Sequence, residues 1–111
     1  MKLKPLALAV LGAAALTALP ASAQTEIQWW HSMTGGNGDR VNEMAAGFNA
    51  SQKEYKVVPV YKGGYAESIT AAIAGFRTKT QPHVLLVPTY ATAQFMAARG
   101  ATVPVHELVS R

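Results

Sequence analysis

The chain has 111 residues, with 10 Lys and Arg against 6 Asp and Glu, and it contains no cysteine. Without cysteine, a disulfide framework, a thiolate metal site and a cysteine nucleophile are all excluded. The 88 residues that follow residue 23 carry 8 Lys and Arg against 6 Asp and Glu, a formal charge of +2 that gives no electrostatic case for nucleic acid or an anionic membrane as partner.

The first 23 residues are typical of a secretory signal peptide. Lys2 and Lys4 precede an uncharged apolar stretch, residues 6–19, and Ala21-Ser22-Ala23 supplies a small-residue cleavage site. The alternative is a membrane anchor, but the apolar stretch has about 14 residues and a transmembrane helix needs roughly 20. We therefore predict export to the periplasm and cleavage after Ala23, which leaves a soluble mature chain without direct membrane insertion.

A strand, a glycine-rich loop and a helix open the mature chain. Residues 26–31 are rich in strand formers, and residues 32–38 break the strand as a loop. We predict a helix from Asp39, as its N-cap, to about Ala50. Its core-facing stripe has apolar residues at positions i, i+3, i+4 and i+7, namely Val41, Met44, Ala45 and Phe48.

A second strand and helix follow. Residues 55–61 form the strand, and Pro59, which cannot donate a hydrogen bond, places it at an edge or near a strand end. After Lys62-Gly63-Gly64 we predict a helix that ends within residues 78–82. Its apolar residues are Ile69, Ala72, Ile73 and Phe76.

The last third of the chain predicts a buried strand and two helices. Residues 83–87 are almost continuously apolar, as in a strand covered on both faces of a parallel sheet, and we assign them to its centre. Residues 91–99 are helical in composition with Gly100 as C-cap, and a further helix begins at His106. The β-α-β-α-β-α order predicts an α/β fold, in which residues 24–111 form an incomplete first part of one lobe.

In an open α/β sheet, ligands bind beyond the carboxyl ends of the strands. This rule selects three loops as candidate site segments, residues 31–38, 62–65 and 88–91. Two of them contain paired glycines before a helix, where backbone N–H groups could approach an anion. Alternatively, Gly36 and Gly64 supply only the positive φ that turns require.

Tyr65 and Thr89 are the candidate ligand contacts within these loops. Tyr65 begins a helix outside its apolar stripe, so both ligand contact and simple solvent exposure are open. Thr89 follows the predicted buried strand and either faces the ligand or stabilises the turn. Trp29 and Trp30 point to opposite faces of one strand, and we predict a core role for each.

Catalytic and cofactor motifs are not found. The three histidines lack metal-ligand spacing, and no phosphate-binding glycine motif or nucleophile elbow occurs. We therefore expect neither an enzyme, a metal site nor a cofactor. A secreted α/β hydrolase or phosphatase fragment that uses His31, Ser32 or Asp39 remains the alternative function, and a self-sufficient small periplasmic protein is a third.

Several short motifs together resemble a known family. The mature chain is similar to the N-terminal part of the periplasmic solute-binding proteins of ABC importers, in the group that binds sn-glycerol 3-phosphate. The motifs that carry the resemblance are Trp30-His31-Ser32-Met33, Phe48-Asn49-Ala50, Tyr61-Lys62-Gly63 with Tyr65, and Phe76-Arg77-Thr78.

The resemblance implies a two-lobed protein that closes over a small ligand and docks on membrane permease subunits. Tyr65 matches a family tyrosine that contacts the ligand. Thr89 stands in the loop where the family typically has a glutamate, and without that carboxylate the contacts to the glycerol hydroxyls differ from those of the family. The resemblance therefore implies a range of ligands, namely sn-glycerol 3-phosphate or a related glycerophosphodiester or sugar. The family's remaining ligand contacts lie beyond Arg111, which implies that this chain alone does not bind tightly.

Overall fold

The computed structural model describes residues 23–110. The predicted signal peptide, apart from Ala23, lies outside the described residues, and so does Arg111. The regular elements are β1 (Thr25–His31), α1 (Gly35–Ser51), β2 (Tyr55–Tyr61), α2 (Tyr65–Thr78), β3 (Val84–Leu85), a 3₁₀ turn (Thr89–Ala91), α3 (Thr92–Ala97) and α4 (Val105–Val109). None of the helices in this part of the chain is long and apolar enough to span a membrane.

The three strands form one parallel sheet in the order β2-β1-β3, which confirms the predicted α/β fold. Trp29 pairs with Pro59 of β2 on one side and with Val84 of β3 on the other. Within residues 23–110, β1 has partners on both sides and β3 pairs with β1 alone, so the position of residues 83–87 at the centre of a larger sheet stays a prediction. Val84 is 46% exposed, so β3 is not covered on both faces here.

The N-cap of helix α1 lies five residues earlier than predicted. Its N-cap is Thr34, whose side chain makes no capping hydrogen bond, and Asp39 lies inside the helix. The glycines make this early start possible. Gly38 donates its N–H to the Thr34 carbonyl at 3.3 Å, and a Cβ on Gly38 would lie 3.0 Å from the Met33 carbonyl oxygen, so the helix start packs closely against the preceding backbone.

The predicted stripe of α1 is only half buried. Val41 and Ala45 are 3% and 4% exposed, whereas Met44 and Phe48 are 58% and 45% exposed. The two exposed side chains line an open groove whose other walls are apolar residues of the sheet and of α1, Ile27, Trp29, Ala45, Val57 and Val84. This face of the sheet is therefore incompletely covered.

Helix α2 has the predicted bounds but a shifted buried row. Its buried residues are Ser68, Ala72 and Gly75, at positions i, i+4 and i+7, while Phe76 is 39% exposed. Gly75 is needed for a close approach, because a Cβ there would lie 3.2 Å from Cα of Gln81. The absence of a side chain at Gly75 lets the segment that follows α2 lie close to the helix.

The segment after β3 differs from the single helix predicted over residues 91–99. A 3₁₀ turn over Thr89–Ala91 leads into the short helix α3, which ends at Ala97. Gly100 has a φ of +76°, so it reverses the chain just beyond the helix. Helix α4 begins at Val105, one residue before the predicted start at His106.

Side-chain amides complete the backbone hydrogen bonds of β2 on the side away from β1. The Asn49 carboxamide donates to the Val57 carbonyl at 2.8 Å and accepts from the Val57 N–H at 2.7 Å. The Gln52 carboxamide makes the same pair of contacts with Tyr55, both at 2.7 Å. Pro59, the next residue in this alternation, has no N–H, which agrees with its predicted edge position.

Candidate functional site

The carboxyl ends of the three strands lie at one edge of the sheet because the strands are parallel. The ladder continues just beyond the strands there, since Lys62 donates its N–H to the His31 carbonyl and Leu86 donates to the Trp30 carbonyl. The three loops selected from the sequence all leave from this edge. We call it the carboxyl edge and treat it as the candidate site.

His31 ends the central strand and is 5% exposed. Its Nδ1 accepts the Met33 N–H at 3.3 Å, so a neutral ring carries its proton on Nε2. The ring lies against Trp29 and Tyr61, with centroid distances of 6.4 and 6.0 Å. His31 thus fixes the turn between β1 and α1, a structural role that was not predicted from its sequence context.

Ser32 does not form a nucleophile pair with His31. Its hydroxyl is buried and has no hydrogen-bond partner among the described residues, and Nδ1 of His31 is occupied by Met33. Asp39 lies on α1, where it is solvent-exposed. Within residues 23–110, no group of three or more His, Asp or Glu side chains is placed to hold a metal ion.

The glycine pair before α2 makes room for an acidic side chain. A Cβ on Gly64 would lie 2.8 Å from Oε2 of Glu67, and one on Gly63 would lie 3.0 Å from Cβ of Glu67. Gly63 has a φ of +84°, whereas Gly64 has an ordinary φ of −65°. The interpretation that Gly36 and Gly64 supply positive φ was wrong. In each glycine pair the preceding residue, Gly35 or Gly63, has the positive φ instead.

Tyr65 and Thr89 both lie at the carboxyl edge. Tyr65 is the first residue of α2 and its side chain is 39% exposed. Thr89 is exposed and begins the 3₁₀ turn, where its carbonyl accepts the Thr92 N–H. The two residues follow β2 and β3, the strands on either side of β1, so the end of the central strand lies between them.

Lys62 and Trp30 form a contact that sequence analysis missed. The Lys62 ammonium nitrogen lies 3.9 Å from the centroid of the Trp30 ring, within the range of a cation–π interaction. Trp30 itself is 7% exposed, as its predicted core role requires. The parallel pairing of residues 26–31 with residues 56–61 contained the signal, because it sets Trp30 beside Val60 and so places Lys62 on the same face of the sheet.

His83 has the structural role expected from its position at a strand start. Its Nδ1 accepts the Gln28 N–H at 3.0 Å, which ties the beginning of β3 to β1. The amino edge of the sheet also holds Tyr55, whose pKa is raised above the ordinary 10.0 by its hydrogen bond with Glu54 and by the negative charge of that residue. Both features lie away from the carboxyl edge.

Comparison with known proteins confirms the predicted resemblance. The chain is 51% identical over 104 residues to the sn-glycerol-3-phosphate-binding periplasmic protein UgpB of Brucella suis biovar 1, a match that covers 93% of this chain and 24% of that protein. It is 47% identical over 94 residues to UgpB of Rhizobium meliloti, covering 85% of this chain and 22% of that protein. UgpB of Agrobacterium fabrum is 44% identical over 112 residues, covering 98% of this chain and 26% of that protein.

The chain thus spans about a quarter of the length of these relatives. A scan against protein-family models gives no match. The relatives are binding proteins by name rather than enzymes, and they are periplasmic by name.

Proposed function

We propose that this chain, homologous over nearly all its length to sn-glycerol-3-phosphate-binding periplasmic proteins, is part of the solute-binding component of an ABC importer. The ligand we propose is sn-glycerol 3-phosphate or a related glycerophosphodiester or sugar. The observation that carries the proposal is the 51% identity to the Brucella suis protein over 93% of this chain. The membrane permease subunits of such an importer are the proposed partners.

The proposed organisation is a signal peptide over residues 1–23, followed by part of the first α/β lobe over residues 24–111. The Brucella suis match extends over 104 residues, more than the 88 residues from Gln24 onward, so part of the leading segment is shared with that periplasmic protein. This supports export of the chain to the periplasm.

Tyr65 and Thr89 are the proposed ligand contacts. Their placement on both sides of the end of β1 supports this, because a small polyol bound beyond the central strand would lie between them. The Tyr65 ring would pack on the carbon skeleton of the ligand, and its hydroxyl would hydrogen-bond to a ligand oxygen. Thr89 offers a hydroxyl that can donate to a ligand oxygen or accept from a ligand hydroxyl.

The hydrolase alternative receives no support from the geometry. A hydrolase that used Ser32 would need an accessible hydroxyl beside a basic nitrogen. The Ser32 hydroxyl is instead buried, and Nδ1 of His31 accepts a backbone N–H. The binding function is therefore the better explanation of the carboxyl edge.

A chimera tests the proposal directly. Residues 24–111 of this chain would replace the matching segment of the Brucella suis relative, and calorimetric titration with sn-glycerol 3-phosphate would be compared for chimera and parent. We expect the chimera to bind with an affinity within about tenfold of the parent, a difference of about 1.4 kcal/mol. A folded chimera without measurable binding, beside a parent that binds, would show that the function is wrong.

A further inference from the structure

The Lys62 ammonium is held in place by a buried aromatic ring. Its nitrogen lies 3.9 Å from the centroid of Trp30, and Trp30 is only 7% exposed. The indole Nε1–H of Trp30 donates to Oε1 of Gln28 at 3.2 Å, which fixes the orientation of the ring. Lys62 is itself half-buried, so its side chain has less freedom than that of a typical surface lysine.

The positive charge of Lys62 is not neutralised by a neighbouring acid. The salt bridge within the described residues joins Arg40 and Glu43 on α1, and no carboxylate of residues 23–110 lies within 4.0 Å of the Lys62 ammonium. Glu67, on the following helix, lies against the glycine pair instead. An ammonium that is held by a ring but lacks a counter-ion can interact favourably with an anion that approaches it.

Lys62 also lies at the carboxyl edge. It directly follows β2, its N–H bonds to the carbonyl of His31 at the end of the central strand, and it precedes Tyr65 by three residues. The nearest end of α2 is its N-terminus, which carries the positive end of the helix dipole and has no side-chain cap. The carboxylate of Glu67, in the first turn of α2, lies beside this helix end, so the attraction for a negatively charged ligand comes from the Lys62 ammonium.

We infer that Lys62, positioned by Trp30, is a specificity-determining residue that makes the carboxyl edge prefer a phosphate-bearing polyol over an uncharged one. This inference rests on the proposed function and adds a charged group in this lobe to the contacts of Tyr65 and Thr89. Lys62 acts through the charge of its ammonium, so an arginine at this position retains the effect.

The test measures sn-glycerol 3-phosphate affinity of the chimera at low and at high salt, for Lys62→Met and Lys62→Arg. Lys56→Met is the matched control, because Lys56 lies on β2 near the amino edge, whereas Lys62 directly follows β2 at the carboxyl edge. At low salt we expect Lys62→Met to weaken binding by roughly threefold to tenfold, and we expect that difference to shrink at high salt because salt screens the charge. Lys62→Arg and Lys56→Met should stay within about twofold of the unchanged chimera.

A structural role alone would give a different pattern. If Lys62 only supported the fold, Lys62→Met would weaken binding equally at both salt concentrations. Equal weakening, or no weakening at all, overturns the inference while the proposed function stands. A second variant, Trp30→Phe, keeps an aromatic face but offers a weaker cation–π partner. It should fall between the unchanged chimera and Lys62→Met in low-salt affinity.

A measurement with inorganic phosphate separates this inference from the proposed function. An unchanged chimera that does not bind sn-glycerol 3-phosphate would refute the function. The role of Lys62 would then be tested by adding inorganic phosphate to the folded chimera and following the Trp30 indole N–H signal by NMR. We expect the signal to shift in the unchanged chimera and not in its Lys62→Met variant. The same response in both proteins would overturn the inference.

Discussion

Tyr65 is the residue on which the proposed ligand contact depends most. Its ring is 39% exposed at the start of α2, and its hydroxyl makes no hydrogen bond within the described residues. Tyr55 has nearly the same exposure, 38%, but lies at the opposite end of the sheet. The two tyrosines therefore form a matched pair for mutation.

We expect Tyr65→Ala in the chimera to weaken sn-glycerol 3-phosphate binding by about 2 to 4 kcal/mol, or roughly 30- to 1000-fold, because apolar contact and a hydrogen bond are both lost. Tyr65→Phe loses only the hydroxyl and should cost about 1 kcal/mol, or more if the hydroxyl meets a charged phosphate. Thr89→Ala should matter less than Tyr65→Ala. Calorimetric titration gives all three values.

The control variants are Tyr55→Ala and Tyr55→Phe, which should leave ligand affinity unchanged. An unchanged affinity for Tyr65→Ala would remove Tyr65 from the site. A loss of affinity shared equally by the two alanine variants would mean that the effect comes from the fold and not from the ligand contact.

At the scale of elements, the connection between α1 and β2 depends on the Asn49 carboxamide. Both of its polar groups are used, one as donor and one as acceptor to Val57. Asn49 also belongs to the Phe48-Asn49-Ala50 motif of the family resemblance. A structural demand thus explains this residue type without a ligand.

We expect Asn49→Asp to lower the unfolding free energy of the chimera by about 1 to 3 kcal/mol, because a carboxylate cannot donate to the Val57 carbonyl and places negative charge beside it. Asn42→Asp is the control, since Asn42 lies on the same helix, is exposed and makes no side-chain hydrogen bond within the described residues. Denaturant titration of both variants measures the difference. Equal stability of the two would show that the Asn49 contacts contribute nothing.

The bounds of a helix or strand could be predicted from the sequence where they depend on residues close together in the chain. The bounds of β2 and α2 were predicted from residues 55–78 because Pro59, the glycine pair and the helical spacing act within a few residues. The start of α1 was missed, since it depends on the close approach of Gly38 to the Met33 backbone. The position of β1 between β2 and β3 was not predicted either, because strand order depends on pairing across the whole segment.

The same distinction applies to the candidate site. The three loops were predicted because chain order and parallel pairing alone place them at one edge. The contact of Lys62 with Trp30 and the folding of Glu67 against Gly64 were not predicted, since both depend on side-chain positions that join different elements. Sequence spacing shows which residues share a face, and it does not show which of them meet.

At the scale of the whole molecule, apolar surface is left uncovered on more than one face. The groove beside α1 is one such region, and a cavity of about 640 Å³ beside β3 is another. Apolar residues from α2, β3 and the segment around α4 line the second region, with Phe76, Val84, Val103, Val105 and Leu108 all more than one third exposed. These regions bear on the alternative of a self-sufficient small protein.

We expect residues 24–111 alone to bind a dye that fluoresces on exposed apolar surface, and to unfold without a sharp thermal transition. The chimera, in which the rest of the relative can cover these faces, should bind less dye per molecule and unfold cooperatively. Fluorescence titration and differential scanning calorimetry make the comparison. If residues 24–111 alone form a monomer that unfolds cooperatively and binds no dye, the self-sufficient small protein is favoured instead.

Export of the chain gives a second test at this scale. We expect periplasmic material to begin at Gln24, because Ala21-Ser22-Ala23 fits the small-residue pattern of a cleavage site. Intact-mass measurement or N-terminal sequencing identifies the first residue. Recovery of the chain from membrane fractions with Met1 retained would contradict cleavage and favour the anchor.

The amide contacts along β2 block strand addition at that edge of the sheet, which leaves the edge at β3 as the open one among the described strands. Gln52 and Asn49 saturate two successive outward backbone positions, and Pro59 has no N–H to offer at the third. A fibre built by strand addition requires two open sheet edges on every copy, because each copy must pair with one neighbour above it and another below it. Within residues 23–110, a copy that can recruit through β3 alone can form a closed pair but cannot propagate, and strand addition between copies of this segment should therefore stop at dimers.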